Sequence, residues 1–339
     1  MGKHKLNIDR PAEWHWRLFD DFCRFELMAG GPDPHMKAVA YLSEDQPLVE
    51  KLWRTMAYIS VYNVPAAEAI WTAWPWDRVQ LDPTALGQWI LQNWPNLPMR
   101  KERRPIRSPH KLAKFLAHDA VAFVDGALAT HAQVSYLRRG YYSEYGLYEY
   151  VTSVPSLGRY SGMKVAETLH VMGLSDDSVP DMNPRGAWSP RLGLSLLYPQ
   201  HAGTLNANDD STEALDLCNS LFDEVRTWFH THGLKLSAFT TEVLLCDYKQ
   251  AVNGRQYPGR SQDSELEYMR KVGPLLPVSE YMTVARPRLV PRWARGEVQG
   301  WTGVRKELGT TIPEHEYAWS DRLFSYSLTT DLAHPVRSP

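Results

Sequence analysis

Apolar residues in this chain recur at helical spacing in one segment after another, whereas the two-residue alternation typical of β-strands is scarce. In residues 13–28, for example, Trp14, Leu18, Phe22 and Phe25 fall on one face of a helix. Similar patterns predict helices over residues 47–61, 66–74, 83–94, 110–137, 213–230 and 239–252. We therefore predict a mostly α fold, with a helical domain over residues 13–265 and an irregular extension, residues 266–339, that is rich in Pro, Arg and Trp.

Residues 153–173 have the pattern of a helix–hairpin–helix, in which a short turn joins two helices. The turn is Pro155-Ser-Leu-Gly158, and the amphipathic run after it places Lys164 and Glu167 on its polar side. Such a hairpin binds the DNA backbone, because glycine permits close approach and the N–H groups of a helix start attract phosphate. An ordinary turn between helices, with glycine as a cap, fits the same residues. The DNA-binding interpretation predicts phosphate contacts for Gly158, Arg159 and Lys164.

Basic residues are concentrated in a few segments, and the chain as a whole is not positively charged. The net charge is −2 and the hydrophobic content is 43%, which predicts a buried core and excludes a general polyanion binder. The densest basic run is residues 100–114, where we predict phosphate contacts for Arg103, Arg104, Arg107 and Lys111. A solvated surface loop is the alternative. Arg260, in the loop of residues 256–263, is a further candidate for phosphate binding.

Residues 239–252 hold the candidate catalytic groups. On a helix, Glu242, Cys246 and Lys249 stand at i, i+4 and i+7, so that one face carries a carboxylate, a thiol and an ammonium group. Asp247 is a second carboxylate in the same segment. The competing interpretation is a solvated Glu–Lys edge with Cys246 packed beneath it, since cysteine is commonly buried.

Several classes of site are disfavoured by missing motifs. The three cysteines are far apart and form no Cys-x-x-Cys pair, which argues against a structural zinc or iron–sulfur site. The phosphate loop of nucleotide kinases, the Gly-x-Gly-x-x-Gly fingerprint, His-Glu-x-x-His and Gly-x-Ser-x-Gly are all absent. No cofactor is evident and no metal ligands are predicted, although Mg²⁺ bridging phosphate oxygens would be compatible with the chain.

The order of these motifs resembles one protein family. It is similar to the alpha-glutamyl/putrescinyl thymine pyrophosphorylases, which are phage amino acid:DNA transferase-like proteins related to the helical domain of 5-hydroxymethyluracil DNA kinases. The resemblance covers about residues 14–265 and rests on the segments WRLFDDFCRFE, LWRTMAYISVYNV, RRPIRSPHKLAKFL, VPSLGRYSGMKVAETL and TEVLLCDYKQ with YPGR. The segment MAYISVYNV lacks the Arg and acidic residues of related members, and the extension from Leu266 has no counterpart in the family.

The resemblance implies hypermodification of a base in double-stranded DNA. An amine, either an amino acid or a polyamine, would displace pyrophosphate or phosphate from an activated 5-hydroxymethyl pyrimidine. This chemistry needs cations at the leaving oxygens, an extruded base, and a group that deprotonates the amine, for which Glu242 or Asp247 is a candidate. The alternatives are a non-catalytic DNA-binding protein and a helix–hairpin–helix DNA glycosylase; such glycosylases carry an Asp beyond the hairpin, where this chain has Asp176, Asp177 and Asp181.

The location follows from the absence of targeting signals. The N-terminal residues lack an apolar signal region, and no run of about 18 apolar residues occurs. We expect a soluble cytoplasmic protein without a membrane partner, in the cytoplasm of the host cell if a phage encodes it.

Overall fold

The computed structural model describes residues 10–31, 34–99, 108–129, 151, 154, 156–174, 182, 184–207, 209–253, 255–290 and 294–295. Within these residues the regular structure is entirely helical, which confirms the prediction of a mostly α fold. The helices are α1 (Ala12–Met28), α2 (Pro34–Leu42), α3 (Leu48–Val61), α4 (Val64–Ala73), α5 (Trp76–Leu81), α6 (Pro83–Asn93), α7 (Pro109–Lys114), α8 (Ala120–Ala129), α9 (Arg159–Val171), α10 (Trp188–Leu197), α11 (Ala202–Asn206), α12 (Thr212–Thr231), α13 (Ala238–Val252), α14 (Arg260–Val272) and α15 (Arg286–Leu289). Short 3₁₀ turns follow α6 and α10, and π-helical turns lie at Phe115–Asp119 and Tyr281–Ala285.

Side-chain caps fix where many of these helices begin. Asn63 and Asp82 each accept a hydrogen bond from the backbone N–H three residues on, at 2.9 Å, and in each case a proline stands within the first two helical residues. A side-chain oxygen at this position satisfies an N–H group that has no partner inside the helix. Serine caps open three further helices, α7, α12 and α13, with Ser108, Ser211 and Ser237.

The helices build two apolar clusters that meet at α13. The first cluster is formed mainly by α2 to α9, and the second mainly by α1, α10, α12 and α13. Helix α13 contributes Phe239 and Val243 to the first cluster and Leu244, Leu245 and Tyr248 to the second. It therefore lies at the junction of the two clusters, and so do the candidate catalytic residues that it carries.

Helix α10 packs closely against α13 because of a glycine. A Cβ atom at Gly193 would lie 2.4 Å from the carbonyl oxygen of Leu245, a distance that no side chain tolerates. The composition of residues 175–193, which is polar and rich in Pro, predicts a loop, and the structure corrects this from Trp188 onward, where α10 begins. Pro190 is compatible with the first turn of a helix, since the N–H group it lacks would have no partner there.

The turn before α9 differs in detail from the predicted hairpin. The left-handed backbone conformation is taken by Ser156, with φ of 70°, while Gly158 is extended at φ −98° and ψ −175°. A Cβ atom at Gly158 would meet nothing within 4 Å. The fold itself thus places no steric demand for glycine at this position. The first helix of the predicted pair falls on residues 142–154, most of which lie outside the described residues, so the helix–hairpin–helix stays a prediction.

The C-terminal residues that the structure describes pack onto the helical domain. The predicted boundary between residues 265 and 266 falls inside α14, and Val272 and Tyr281 belong to the first cluster. A buried carboxylate holds this segment in place. Glu68 of α4 accepts a 2.6 Å hydrogen bond from the Ser279 hydroxyl and further bonds from the backbone of the next two residues. Most of the predicted extension, residues 296–339, lies outside the described residues.

Candidate active site

The site is centred on a lysine that the sequence assigned to a different environment. Lys164 of α9 has a relative exposure of 1%, and its ammonium nitrogen lies 3.7 Å from the ring centroid of Tyr62. The rings of Tyr160 and Phe239 lie 4.7 and 4.9 Å away. The sequence pattern placed Lys164 and Glu167 on the polar side of this helix, and in the structure both side chains are buried.

Burial changes the acidity of this lysine. Removal from water lowers the pKa of Lys164 to about 7, because the charged form loses its hydration. The neighbouring acids Glu242, Asp247 and Glu167 and the Cys246 thiol act in the opposite direction and offset only part of this effect. Near neutral pH about half of the molecules therefore carry Lys164 as a neutral amine with a free electron pair.

Glu242 is the carboxylate most closely associated with Lys164. It is first among the groups that raise the pKa of the lysine, and its relative exposure is 2%. Its Oε1 lies 4.0 Å from the guanidinium of Arg159, the first residue of α9. Arg159 also donates a hydrogen bond to the carbonyl oxygen of Met182. A cation that is 22% exposed at its side chain thus connects the buried carboxylate to the protein surface.

A serine of α10 joins the other two candidates on α13. The ammonium of Lys249 donates a 2.9 Å hydrogen bond to the Ser189 hydroxyl, and the side chain of Cys246 is also hydrogen-bonded to Ser189. Burial raises the pKa of the Cys246 thiol well above its usual value, and the charge of Glu242 adds to this effect. The thiol is therefore protonated at neutral pH and is a poor nucleophile. Burial lowers the pKa of Lys249.

Glu167 aligns the two helices that carry the site. Its Oε1 accepts a 2.7 Å hydrogen bond from Ser237, and the same hydroxyl caps the start of α13 by accepting from the Thr240 N–H at 3.1 Å. Helix α9 is thereby fixed to the first turn of α13, one turn before Glu242. This interaction holds α9, which carries Lys164, against α13, which carries Glu242.

The structure brings together one part of the predicted site. Glu242, Cys246, Asp247 and Lys249 of α13 are joined with Arg159 and Lys164 of α9, which were assigned to DNA binding instead. Lys111 of α7 and Arg260 at the start of α14 are exposed, and neither takes part in these interactions. Arg103, Arg104 and Arg107 lie outside the described residues, as do Asp176, Asp177 and Asp181.

Sequence reasoning did not identify four residues at the site: Tyr62, Tyr160, Phe239 and Ser189. Three of them are aromatic residues around Lys164, and an aromatic residue in a helical pattern gives no signal that separates a packed core from the wall of a site. Ser189 was placed only within a polar, Pro-rich segment. Its role depends on the close packing of α10 on α13, which the sequence does not reveal.

The described residues contain no group of three His, Cys, Asp or Glu side chains that could hold a metal ion. A role for Mg²⁺ stays a prediction. None of the described helices is both long and apolar enough to cross a membrane.

Comparison with known families decides the relationship of the chain. The family model described as amino acid:DNA transferase matches residues 35–257, which is 223 of the 339 residues. The chain belongs to the amino acid:DNA transferase family. This confirms the resemblance found in the sequence. No curated protein and no solved structure matches the chain.

Membership in the amino acid:DNA transferase family implies a transferase that acts on DNA, with DNA and an amino acid as substrates. The matched range includes both helices of the site, α9 and α13. It therefore includes Lys164, Glu242 and the residues that surround them.

Proposed function

We propose that the protein joins an amino acid, through its amine, to an activated 5-hydroxymethyl pyrimidine in double-stranded DNA, with displacement of pyrophosphate or phosphate. The observation that carries this proposal is the buried Lys164, enclosed by three aromatic rings beside Glu242. Within an amino acid:DNA transferase, a neutral buried amine is suited to moving the protons that such a reaction releases.

In the proposed reaction Lys164 acts as the general base. An amino acid carries an ammonium group at neutral pH and cannot attack carbon until it loses a proton. A base with a pKa near the working pH is efficient, because it is available in its free form and still binds the proton well. The amine nitrogen then forms a bond to the methylene carbon while the carbon–oxygen bond breaks, and its electron pair leaves with the phosphate oxygen. Lys164 holds the first proton, and the second proton, which the new nitrogen–carbon bond makes acidic, passes to the departing phosphate.

Glu242 has a complementary role in this proposal. A carboxylate attracts the ammonium group of the incoming amino acid and can hold it before the proton moves. Because Glu242 lies next to Arg159 and close to Lys164, its carboxylate can interact with either cation. It does not remain an isolated buried charge, which would be costly in free energy. Asp247, in electrostatic range of Lys164, is a second carboxylate for the same task.

Arg159 and Lys249 are the proposed partners of the leaving group. Both carry positive charge at the edge of the site, and cations placed where negative charge develops stabilise a transition state strongly when water is excluded. Gly158, Lys111, Arg260 and the arginines of residues 103–107 are proposed to contact the DNA backbone outside the site.

The test is a transfer assay with single variants of the site. Glu242→Gln and Lys164→Met should each lower amine transfer by about 100-fold or more, as expected for loss of a general base or its partner. Lys249→Met should lower amine transfer because the leaving group loses a positively charged partner. Cys246→Ser should have little effect because the thiol is protonated. Transfer is measured by mass spectrometry of nucleosides from DNA carrying the activated base.

Lys37→Met is the matched control, since Lys37 is an exposed lysine on α2 and should retain full activity. The pH dependence of the wild-type rate provides a second measurement, in which the rate should rise with pH around a midpoint near 7. Transfer within a few-fold of wild type for folded Lys164→Met and Glu242→Gln would contradict the proposed roles.

A glycosylase with lyase activity is the second candidate that the neutral lysine favours, because an unprotonated amine can form a Schiff base with the sugar left after base removal. Borohydride would trap this intermediate as a covalent complex between the protein and DNA. We expect no trapped complex with uracil-containing or abasic duplexes. Trapping that disappears in Lys164→Met would favour the glycosylase.

A further inference from the structure

An exposed tryptophan stands beside the site. Trp188, the first residue of α10, has a relative exposure of 42%, and among the Trp, Tyr and Phe side chains that the structure describes it is the one that falls in the exposed class. The next residue, Ser189, is bonded to Lys249 and Cys246. The large apolar ring is therefore presented to solvent directly next to the polar groups of α13.

Exposed arginines occur just before Trp188 in the chain and just after the end of α13. Arg185 is exposed in a tight turn before α10, which is closed by a 2.9 Å hydrogen bond from the Ala187 N–H to the Pro184 carbonyl oxygen. On the α13 side, exposed Arg255 lies close enough to Lys249 to lower the pKa of that lysine. The half-buried Asp247 is the acidic group of α13 nearest to this edge of the site.

An exposed aromatic ring together with exposed cations at one edge of a site is a combination that matches nucleic acid. The cations attract the phosphates, while the ring offers a flat surface on which a base can stack, whatever its identity. An apolar ligand alone would not need the arginines, and a phosphate alone would not need the tryptophan. The packing of α10 on α13 at Gly193 holds the ring in a fixed position relative to Glu242 and Lys249.

We propose that the ring of Trp188 stacks on a nucleobase of the DNA that enters the site, with Arg185 and Arg255 binding the phosphates on either side of that base. This rests on the proposed function, in that DNA is taken as the substrate. It adds a binding surface outside the group of residues that carries out the transfer.

The experiment measures binding of oligonucleotides that contain 2-aminopurine, whose fluorescence falls when the base stacks. Trp188→Ala should weaken binding by about 10-fold and restore the fluorescence, since loss of one stacking platform has an effect of this size. Trp188→Phe should retain most of the affinity because it keeps a ring. Leu81→Ala is the control, because Leu81 is 86% exposed on α5, which the proposal does not involve.

The salt dependence of binding separates stacking from charge. Trp188→Ala should leave the slope of log affinity against log salt unchanged, whereas Arg185→Ala and Arg255→Ala should each lower it by about one unit. Equal affinity and equal fluorescence for Trp188→Ala and wild type would overturn the proposal, and continued amine transfer in that case would leave the proposed function intact. If the wild-type protein stacks on the base but transfers no amine, the binding surface is supported and the proposed chemistry is contradicted. A wild-type protein that binds no DNA would overturn both.

Discussion

Replacing Lys164 by methionine should stabilise the protein while it lowers transfer by about 100-fold or more. The folded state holds this ammonium in a place where its pKa falls from an ordinary value of 10.5 to about 7, mainly because it is removed from water. Between these two pH values the unfolded chain binds a proton that the folded protein does not bind. The free energy of unfolding of the wild type therefore rises with pH over this window, and the full cost of the buried charge is present below about pH 7.

The magnitude follows from the size of the shift. One pKa unit corresponds to roughly 1.4 kcal/mol, so that the whole window of about 3.5 units corresponds to about 5 kcal/mol as an upper value. Methionine does not titrate, so the free energy of unfolding of Lys164→Met lacks this contribution. The advantage of Lys164→Met over wild type should therefore be about 2 kcal/mol smaller at about pH 9 than at about pH 7. Loss of the lysine charge near Glu242 offsets part of the advantage, so the change with pH is the decisive quantity.

The assay is urea unfolding followed by circular dichroism at several pH values between about 6 and 9, with the difference in free energy of unfolding plotted against pH. Lys37→Met removes an exposed lysine and should give a flat difference. If the curves for wild type and Lys164→Met run parallel over this range, Lys164 does not titrate near pH 7 and is not a neutral amine in the site.

Two further variants test the packing of α10 on α13 and the predicted phosphate contacts. Gly193→Ala should lower the free energy of unfolding by about 1–3 kcal/mol, because the added methyl group would overlap the Leu245 carbonyl oxygen. Gly203→Ala should leave it unchanged, because a Cβ atom there meets nothing within 4 Å. Equal stability of Gly193→Ala and wild type in urea would show that α10 and α13 can separate without cost. Replacing Arg103, Arg104 and Arg107 together by alanine should weaken duplex binding and lower its salt slope by about one unit for each phosphate that the variant no longer binds, and an unchanged slope would mean that these residues are only a solvated surface.

The helices with a strong amphipathic pattern were predictable from sequence. Helices α1, α3, α12 and α13 lie within one residue of their predicted ends, because the helical spacing of their side chains is a local feature of the sequence. The segment carrying Glu242 was identified for the same reason. These are properties that a short stretch of sequence determines by itself.

The environment of Lys164 could not be predicted in this way. A lysine in an amphipathic run normally faces water, and the groups that surround this one come from other parts of the chain, among them Tyr62, Phe239 and Glu242. Only tertiary packing shows that the polar side of α9 turns inward. The start of α10 was missed because Pro190 and Gly193 resemble loop residues, and the close approach that Gly193 permits is visible only once α13 is in place.

Helix α13 packs in two apolar clusters, and parts of both clusters lie outside the range that matches the family. The matched range, residues 35–257, omits α1, whose Phe19 and Phe22 are fully buried in the second cluster. It also omits α14, whose Glu265 lies 3.5 Å from His35 and 3.4 Å from the Asn63 amide. A chain cut to the matched range would lose Phe19 and Phe22, whose rings lie 5.1 and 6.1 Å from the ring of Tyr248 on α13. Among the described helices, the one that carries Glu242 would then be held on that side by α10 and α12 alone.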